Sequence, residues 1–325
     1  MDSTDVEEHR PSTGESGSTP TLLKGEVGST PTSSKGELGF TPSSSDVLLA
    51  NQLYYGVEAG DYDKKNHVKN PAILRYYTRL LDRFVFEGRS AAELQTWRAC
   101  DVGCGTGFLE GLLAQRVGRL IAFDATRGML QQAKAKFSAG SLAWVQADAQ
   151  KLPVGDARFD LVCSNAMLHH VYGFEQVLAQ MVSLLRPGGK LFLGYEPNAI
   201  PYRVFWPLLK VAAKIVPEHR DRDRIRERSG QRDHPSLKDV DIHELSEFHI
   251  FHGTRGGRGI HPFDLRQFVE AQGLTDCRVH FSSVYQFALL KDSGIPLPVE
   301  RLPDWLFGLS GRMSLSFSLT GTKAS

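Results

Sequence analysis

The chain is poor in the features that mark several protein classes. Four cysteines in 325 residues, Cys100, Cys104, Cys163 and Cys277, form no C-x-x-C pair. Neither a disulfide framework nor a cysteine metal site is expected, and the thiols read as reduced core residues. Net charge is almost absent, because 38 Lys and Arg against 37 Asp and Glu leave +1, which speaks against nucleic acid as a partner. No apolar run reaches the ~18 residues of a membrane span, and Glu7 and Glu8 stand where a targeting peptide is basic. A reducing, cytoplasmic setting is the resulting expectation. Large apolar side chains are scarce over residues 1–45, where Gly17-Ser-Thr-Pro20, Gly28-Ser-Thr-Pro31 and Gly39-Phe-Thr-Pro42 recur every 11 residues. So short a Pro/Gly repeat cannot stack into a core, and the segment is expected to be a disordered tail.

What is there is a globular composition, 41% hydrophobic and 10% aromatic, enough for a full core. Residues 46–325 are expected to form one folded domain, opened by a cap over 46–90 in which Asn70-Pro71 starts a helix. Beyond it, apolar strands alternate with helical periods. Strands are expected over 96–102, 120–123, 143–146, 159–164, 190–195, 275–281 and 313–322, and helices over 108–116, 128–137, 174–185 and 262–272. Pro187-Gly188-Gly189 separates the third of those helices from its strand. This order predicts an α/β fold whose mostly parallel sheet is covered on both faces.

The sharpest motif is Asp101-Val-Gly103-Cys104-Gly105-Thr-Gly107 at a strand-to-helix junction. Glycines at alternate positions let the backbone turn tightly and approach a ligand, and the following helix N-terminus offers N–H groups to a carboxylate or phosphate. The spacing differs from the G-x-G-x-x-G of dinucleotide sites, and no Gly-Lys-Ser/Thr follows. Asp124 ends the second strand 17 residues past Gly107, near the ~20-residue offset at which an acid meets ribose hydroxyls.

Together with Asp124 to Met129, Ala147-Asp148-Ala149, Phe159-Asp-Leu-Val162 and Leu185-Arg-Pro-Gly-Gly-Lys190, this motif resembles the class I S-adenosylmethionine-dependent methyltransferases. The likeness is nearest to their type 11, ubiquinone/menaquinone-biosynthesis-like subgroup and runs from about residue 101 to 195. The resemblance implies a Rossmann-like, doubly wound, mostly parallel seven-stranded sheet with its last strand antiparallel and an inserted lid after the fifth strand. It also implies S-adenosyl-L-methionine as cofactor, with S-adenosyl-L-homocysteine as product. Asp101, Gly103, Cys104, Gly105 and Gly107 would hold its methionine part, Asp124 and Ala125 the ribose, and Met129, Asp148 and Ala149 the adenine. Asn165, His169 and His170 would stand beside the sulfonium, at the strand ends where such sheets collect ligands.

Methyl transfer from a sulfonium needs a base only when the acceptor carries a proton, and imidazole titrates near pH ~6.5. His169 is the first candidate, with His170 turned toward the core, and Glu196 past the fifth strand is the third. Ser164-Asn-Ala-Met167 lacks the paired prolines of exocyclic-amine methyltransferases, which removes a nucleobase acceptor from the expectation.

Substrate choice is expected from insertions at 199–260 and 283–312. Residues 200–216 read first as a hydrophobic lid over an apolar acceptor, with plain core packing and a helix lying on a membrane surface as the alternatives. Residues 218–234 interleave six Arg with five acids and read as a solvated face. His243, His249, His252 and His261 match no metal spacing, so no metal is expected. The leading expectation is methylation of oxygen or carbon on a small, fairly apolar metabolite such as a quinone, polyketide or lipid-like compound. The alternatives are a protein or RNA methyltransferase and a cofactor-binding assembly protein without turnover.

Overall fold

The computed structural model describes residues 42–65, 68–137, 140–203, 225–248, 259–284 and 311–325. The expected tail lies almost wholly outside these residues, as do 204–224, 249–258 and 285–310.

Helix α1 (Ser44–Glu58) starts where Ser43 and Asp46 cap each other's backbone amides, a reciprocal arrangement that satisfies donors a helix start leaves open. It begins before residue 46, where the domain was expected to open. A single turn, α2 (Tyr62–Lys65), follows. Asn70 caps α3 (Pro71–Leu80), which runs on as a π-helical turn over Leu81–Val85, and α4 spans Ala91–Leu94.

The alternating part then delivers β1 (Arg98–Val102), α5 (Phe108–Leu113), β2 (Arg119–Asp124), α6 (Arg127–Lys136), β3 (Leu142–Gln146) and β4 (Phe159–Asn165). After these come α7 (Phe174–Ser183) and β5 (Leu185–Pro197). From the insertion onward the chain forms α8 (Ile242–Ser246), α9 (Pro262–Ala271), β6 (Leu274–Ser282) and β7 (Ser316–Lys323).

The seven strands lie in the order β3-β2-β1-β4-β5-β7-β6. All neighbours are parallel except at β7, which is antiparallel to β5 and β6. This is the Rossmann-like sheet the resemblance implied. One boundary differs from expectation: β5 already pairs at Leu185 with Phe159, then shifts register so that Lys190 pairs with Leu161. The Pro187-Gly188-Gly189 segment is therefore a bulge inside the strand, with Gly188 at φ 74°, and α7 has ended two residues before the strand begins.

Because successive side chains of a strand point to opposite faces, the central strands feed two cores. Leu161, Cys163 and Phe192 pack with Tyr77 of α3 and Leu113 of α5 on one face. Val162, Leu191 and Leu193 pack with Met181 of α7 and Val269 of α9 on the other. A third cluster lies off the sheet, where Val47 and Ala50 of α1 meet Ile242 and Leu245 of α8 together with Ile225, Leu237 and Phe248. The described part of the insertion thus docks on the N-terminal helix. The four cysteines are free and buried, as expected. No helix among the described residues is long and apolar enough to cross a membrane.

Candidate functional site

The order β3-β2-β1-β4 reverses direction between β1 and β4, and a crevice opens at such a switch point beyond the carboxyl ends of the strands. A cavity of about 200 Å³ lies there. Its floor is the glycine turn, whose Gly103, Gly105 and Gly107 have φ of 75°, 55° and 93°, a left-handed region that costs residues with a Cβ.

The turn's amides are mostly committed inside the protein. Gly103 and Cys104 both donate to the Phe123 carbonyl at 2.8 Å, and Gly107 donates to that of Cys104 at 2.9 Å. Gly105 donates to Asp124 Oδ2 at 2.8 Å. The glycines of the turn therefore contribute shape and close approach, as their spacing implied. Thr106 in the same turn donates to Asp63 of α2, which also pairs with Lys136 Nζ at 2.8 Å. These contacts pin the cap segment over the turn.

Asp124 closes β2 with its two oxygens tethered, Oδ2 by Gly105 and Oδ1 by the Thr126 amide at 2.7 Å. Burial pushes its carboxyl up, against the pull of those two hydrogen bonds. Each oxygen keeps a second lone pair for a hydroxyl. Asp101, at the end of β1, faces Glu110 of α5, and both are buried. Asp101 Oδ1 and both Glu110 oxygens have no donor among the described residues. Two carboxyls so placed share a proton: burial, with the nearby Asp124 charge adding to it, pushes Asp101 up to about 7. Burial and the Asp101 charge push Glu110 up as well.

Asp101, Gly103, Cys104, Gly105, Asp124, Ala125, Met129, Asp148, Ala149 and Asn165 all line this cavity. Gly107 does not; it caps α5 and lies against Phe137, whose Cε2 would stand 2.7 Å from a Cβ there. Asp148 Oδ1 accepts from the Gln150 amide at 2.9 Å, which fixes the loop after β3. Ala166 and Tyr195, at the ends of β4 and β5, hold φ of 53° and 46° and also line the cavity. Such strained backbone gathers where a site constrains it.

The proposed proton-handling residues are arranged the other way round from expectation. His170 lines the cavity, whereas His169 is buried behind it. Glu196 is fully buried and accepts from the amides of Met167, Leu168 and His169 and from His169 Nδ1 at 2.8 Å. It holds the turn after β4 in place and does not reach the cavity. The two rings stand with centroids 3.9 Å apart on the one-turn 3-10 helix at Leu168–His170, and the second of them lines the cavity.

A residue that sequence reasoning did not select completes this region. Glu247, just past α8, accepts from the Tyr55 hydroxyl at 2.7 Å and lies 3.7 Å from His169 Nε2. His170 Nδ1 sits 2.7 Å from the Ser246 carbonyl; a carbonyl only accepts, so Nδ1 carries the proton and Nε2 the lone pair. Burial and the neighbouring His169 push His170 down to about 4. Burial opposes the charged form of His169 too, but Glu196 and Glu247 outweigh it and raise its pKa. Asn51 and Tyr55 of α1, Gln150 and Tyr172 also line the cavity. The Ser43-x-x-Asp46 capping pattern was the available signal for α1. Of the other histidines, His261 caps α9 and His243 packs on Tyr54, while His249 and His252 lie outside the described residues.

Comparison with known proteins agrees with this geometry. The family described as "Methyltransferase domain" matches residues 100–193, the stretch from β1 to β5 that builds the floor and walls. An uncharacterised methyltransferase of Mycobacterium bovis is 35% identical over 116 residues, covering 36% of this chain and 55% of the relative. The ubiquinone/menaquinone biosynthesis C-methyltransferase of Desulfotalea psychrophila is 30% identical over 134 residues, 41% of this chain and 52% of the relative. The malonyl-[acyl-carrier protein] O-methyltransferase of Hahella chejuensis is 39% identical over 93 residues, 28% of this chain and 33% of the relative. The chain thus spans about half the length, or less, of these relatives. Sheet order, the glycine turn and the acid at the end of β2 agree with the match of residues 100–193 to the methyltransferase domain family.

Proposed function

We propose that the protein transfers a methyl group from S-adenosyl-L-methionine to oxygen or carbon of a small, fairly apolar metabolite, in a cytoplasmic setting. The observation that carries this reading is the convergence of Asp101, Gly105, Asp124, Asp148 and Asn165 on one cavity at the switch point. The cavity fits the cofactor. Nothing stands within 4 Å of where a Gly105 Cβ would be, leaving open floor, and the acceptor atoms Asp101 Oδ1 and Asn165 Oδ1 have no donor among the described residues. A cationic ammonium and sulfonium suit such acceptors, and Asp124 keeps lone pairs for ribose hydroxyls.

When bound, the cofactor supplies an activated methyl group. The protein's part is then to orient and to exclude water, which can contribute ~7–11 kcal/mol of the barrier. Val47, Leu48 and Tyr55 of α1 close one side of the cavity, and Met167, Tyr172 and Tyr195 close others. Apolar walls and a net charge of +1 favour a small apolar acceptor over a protein or RNA, which would call for an open basic rim. Relatives named as a C- and an O-methyltransferase keep both atoms open. His170 and Tyr55 share the cavity and would orient an acceptor's hydroxyl or enol, and His169 and Glu196 act behind them by fixing the turn.

Calorimetric titration with S-adenosylmethionine and S-adenosylhomocysteine tests the reading. Wild type should bind both and Asp124→Ala neither, after which labelled methyl transfer into quinone, phenol and polyketide panels would identify the acceptor. Absence of binding by a folded wild type would sink the proposal.

A further inference from the structure

The turn after β4 and the residue after α8 bring together His169, His170 and Glu247, whose ligating atoms lie within 4.8 Å of one another. Two imidazoles and a carboxylate are a common set for a divalent first-row transition ion. The surroundings match what such a set needs. Metal-bound histidines use one ring nitrogen and donate the other N–H to a carboxylate or backbone carbonyl. Here His169 Nδ1 is 2.8 Å from Glu196 Oε2, and His170 Nδ1 is 2.7 Å from the Ser246 carbonyl. His169 is thereby left with Nε2, and His170 with an Nε2 that lies 3.5 Å from the Tyr55 hydroxyl, while its Nδ1 stands 4.0 Å from Glu247 Oε1. The third ligand is held as well, since Tyr55 donates to Glu247 Oε1 at 2.7 Å, leaving Oε2 3.7 Å from His169 Nε2.

Ligand bonds of about 2.0–2.2 Å put two ligand atoms roughly 3.4 Å apart around a tetrahedral ion, close to the 3.7 Å between His169 Nε2 and Glu247 Oε2, and His170 would turn its Nε2 to the same point.

We propose that His169, His170 and Glu247 bind a divalent transition-metal ion of the zinc type, with an open coordination position toward the cavity. His170 and Tyr55 both line that cavity, so the open position would take an oxygen donor from the acceptor and favour hydroxylated or enolic acceptors over plain hydrocarbons. Binding of the ion does not depend on the methyltransferase reading; the role given to its open position does.

The test uses the full-length protein, stripped with a chelator and titrated with Co2+ and Zn2+. Visible d–d absorption of Co2+ reports coordination, Zn2+ competition reports affinity, and calorimetry with S-adenosylhomocysteine runs in parallel. The expected result is about one equivalent of Zn2+ displacing Co2+. Glu247→Gln and His170→Asn should each weaken binding at least about tenfold, because even a residue behind a ligand is worth ~10–100-fold. Glu247→Gln keeps shape and an acceptor for Tyr55, and circular dichroism checks that both variants fold. No saturable Co2+ spectrum, or one that neither folded variant changes, would overturn the inference. Metal failure with intact S-adenosylhomocysteine binding removes this site and leaves the function proposed above. The reverse pattern removes that function and leaves the site.

Discussion

Alanine at Gly103 and at Gly105 should separate two jobs of the same turn. Both glycines have positive φ, so a Cβ costs about 1–2 kcal/mol at either position. The difference lies in what the Cβ meets. At Gly103 it would stand 2.2 Å from Met167 Cγ and 2.9 Å from Met167 Cβ. Met167 is buried and its amide is tied to Glu196, so it cannot simply swing away. Overpacking of that kind adds about 1–3 kcal/mol. Gly103→Ala should then lose roughly 2–5 kcal/mol, or about 4–10 °C in midpoint. At Gly105 nothing lies within 4 Å, so the loss should stay near 1–2 kcal/mol, but the new methyl group enters the cavity floor. Gly105→Ala should therefore weaken S-adenosylhomocysteine binding by about tenfold or more, equivalent to ~1.4 kcal/mol. Thermal unfolding with calorimetric titration reads both quantities. A Gly105→Ala protein that binds like wild type would show that the ligand does not lie over this turn. A Gly103→Ala protein no less stable than Gly105→Ala would refute the packing argument.

Other consequences can be checked in the same preparations. Glu196→Ala leaves three buried amides and His169 without their acceptor and should cost about 3–5 kcal/mol, read as an early unfolding midpoint in denaturant. The Asp101–Glu110 pair makes stability fall with rising pH. An acid raised in the folded state contributes most below its ordinary value of 3.8 and loses that contribution as pH passes about 7. Glu110→Gln should flatten that decline, and parallel pH profiles of midpoint for wild type and variant would contradict it. Leu245→Ala, in the cluster between α1 and α8, should cost about 2–5 kcal/mol locally. Hydrogen exchange should then quicken over residues 44–58 before it quickens in β1 and β4.

The elements most legible in the sequence are those governed by short-range rules. Alternation of apolar strands with helical periods located each of the seven strands to within a few residues, because a strand buried on both faces must be apolar along its length. The largest boundary error, at β5, arose because Pro187-Gly188-Gly189 reads equally as a helix stop and as a bulge. Helix α1 escaped notice although its Ser43–Asp46 cap is local, since its apolar residues complete a face only when α8 is set against them.

Sequence by itself determined the sheet, the glycine turn and Asp124, because backbone conformation and strand periodicity act over a few residues and leave their mark in residue type and spacing. Only the tertiary structure decided which histidine faces the cavity, since a 3-10 turn between β4 and α7 carries no periodicity from which direction can be read. It alone also turned Glu196 inward as the acceptor of three amides and brought Glu247 to the histidines. Tyr55 and Glu247 are 192 residues apart in the chain. A contact at that separation depends on how α1 and the insertion pack over the strand ends, and no local pattern encodes it.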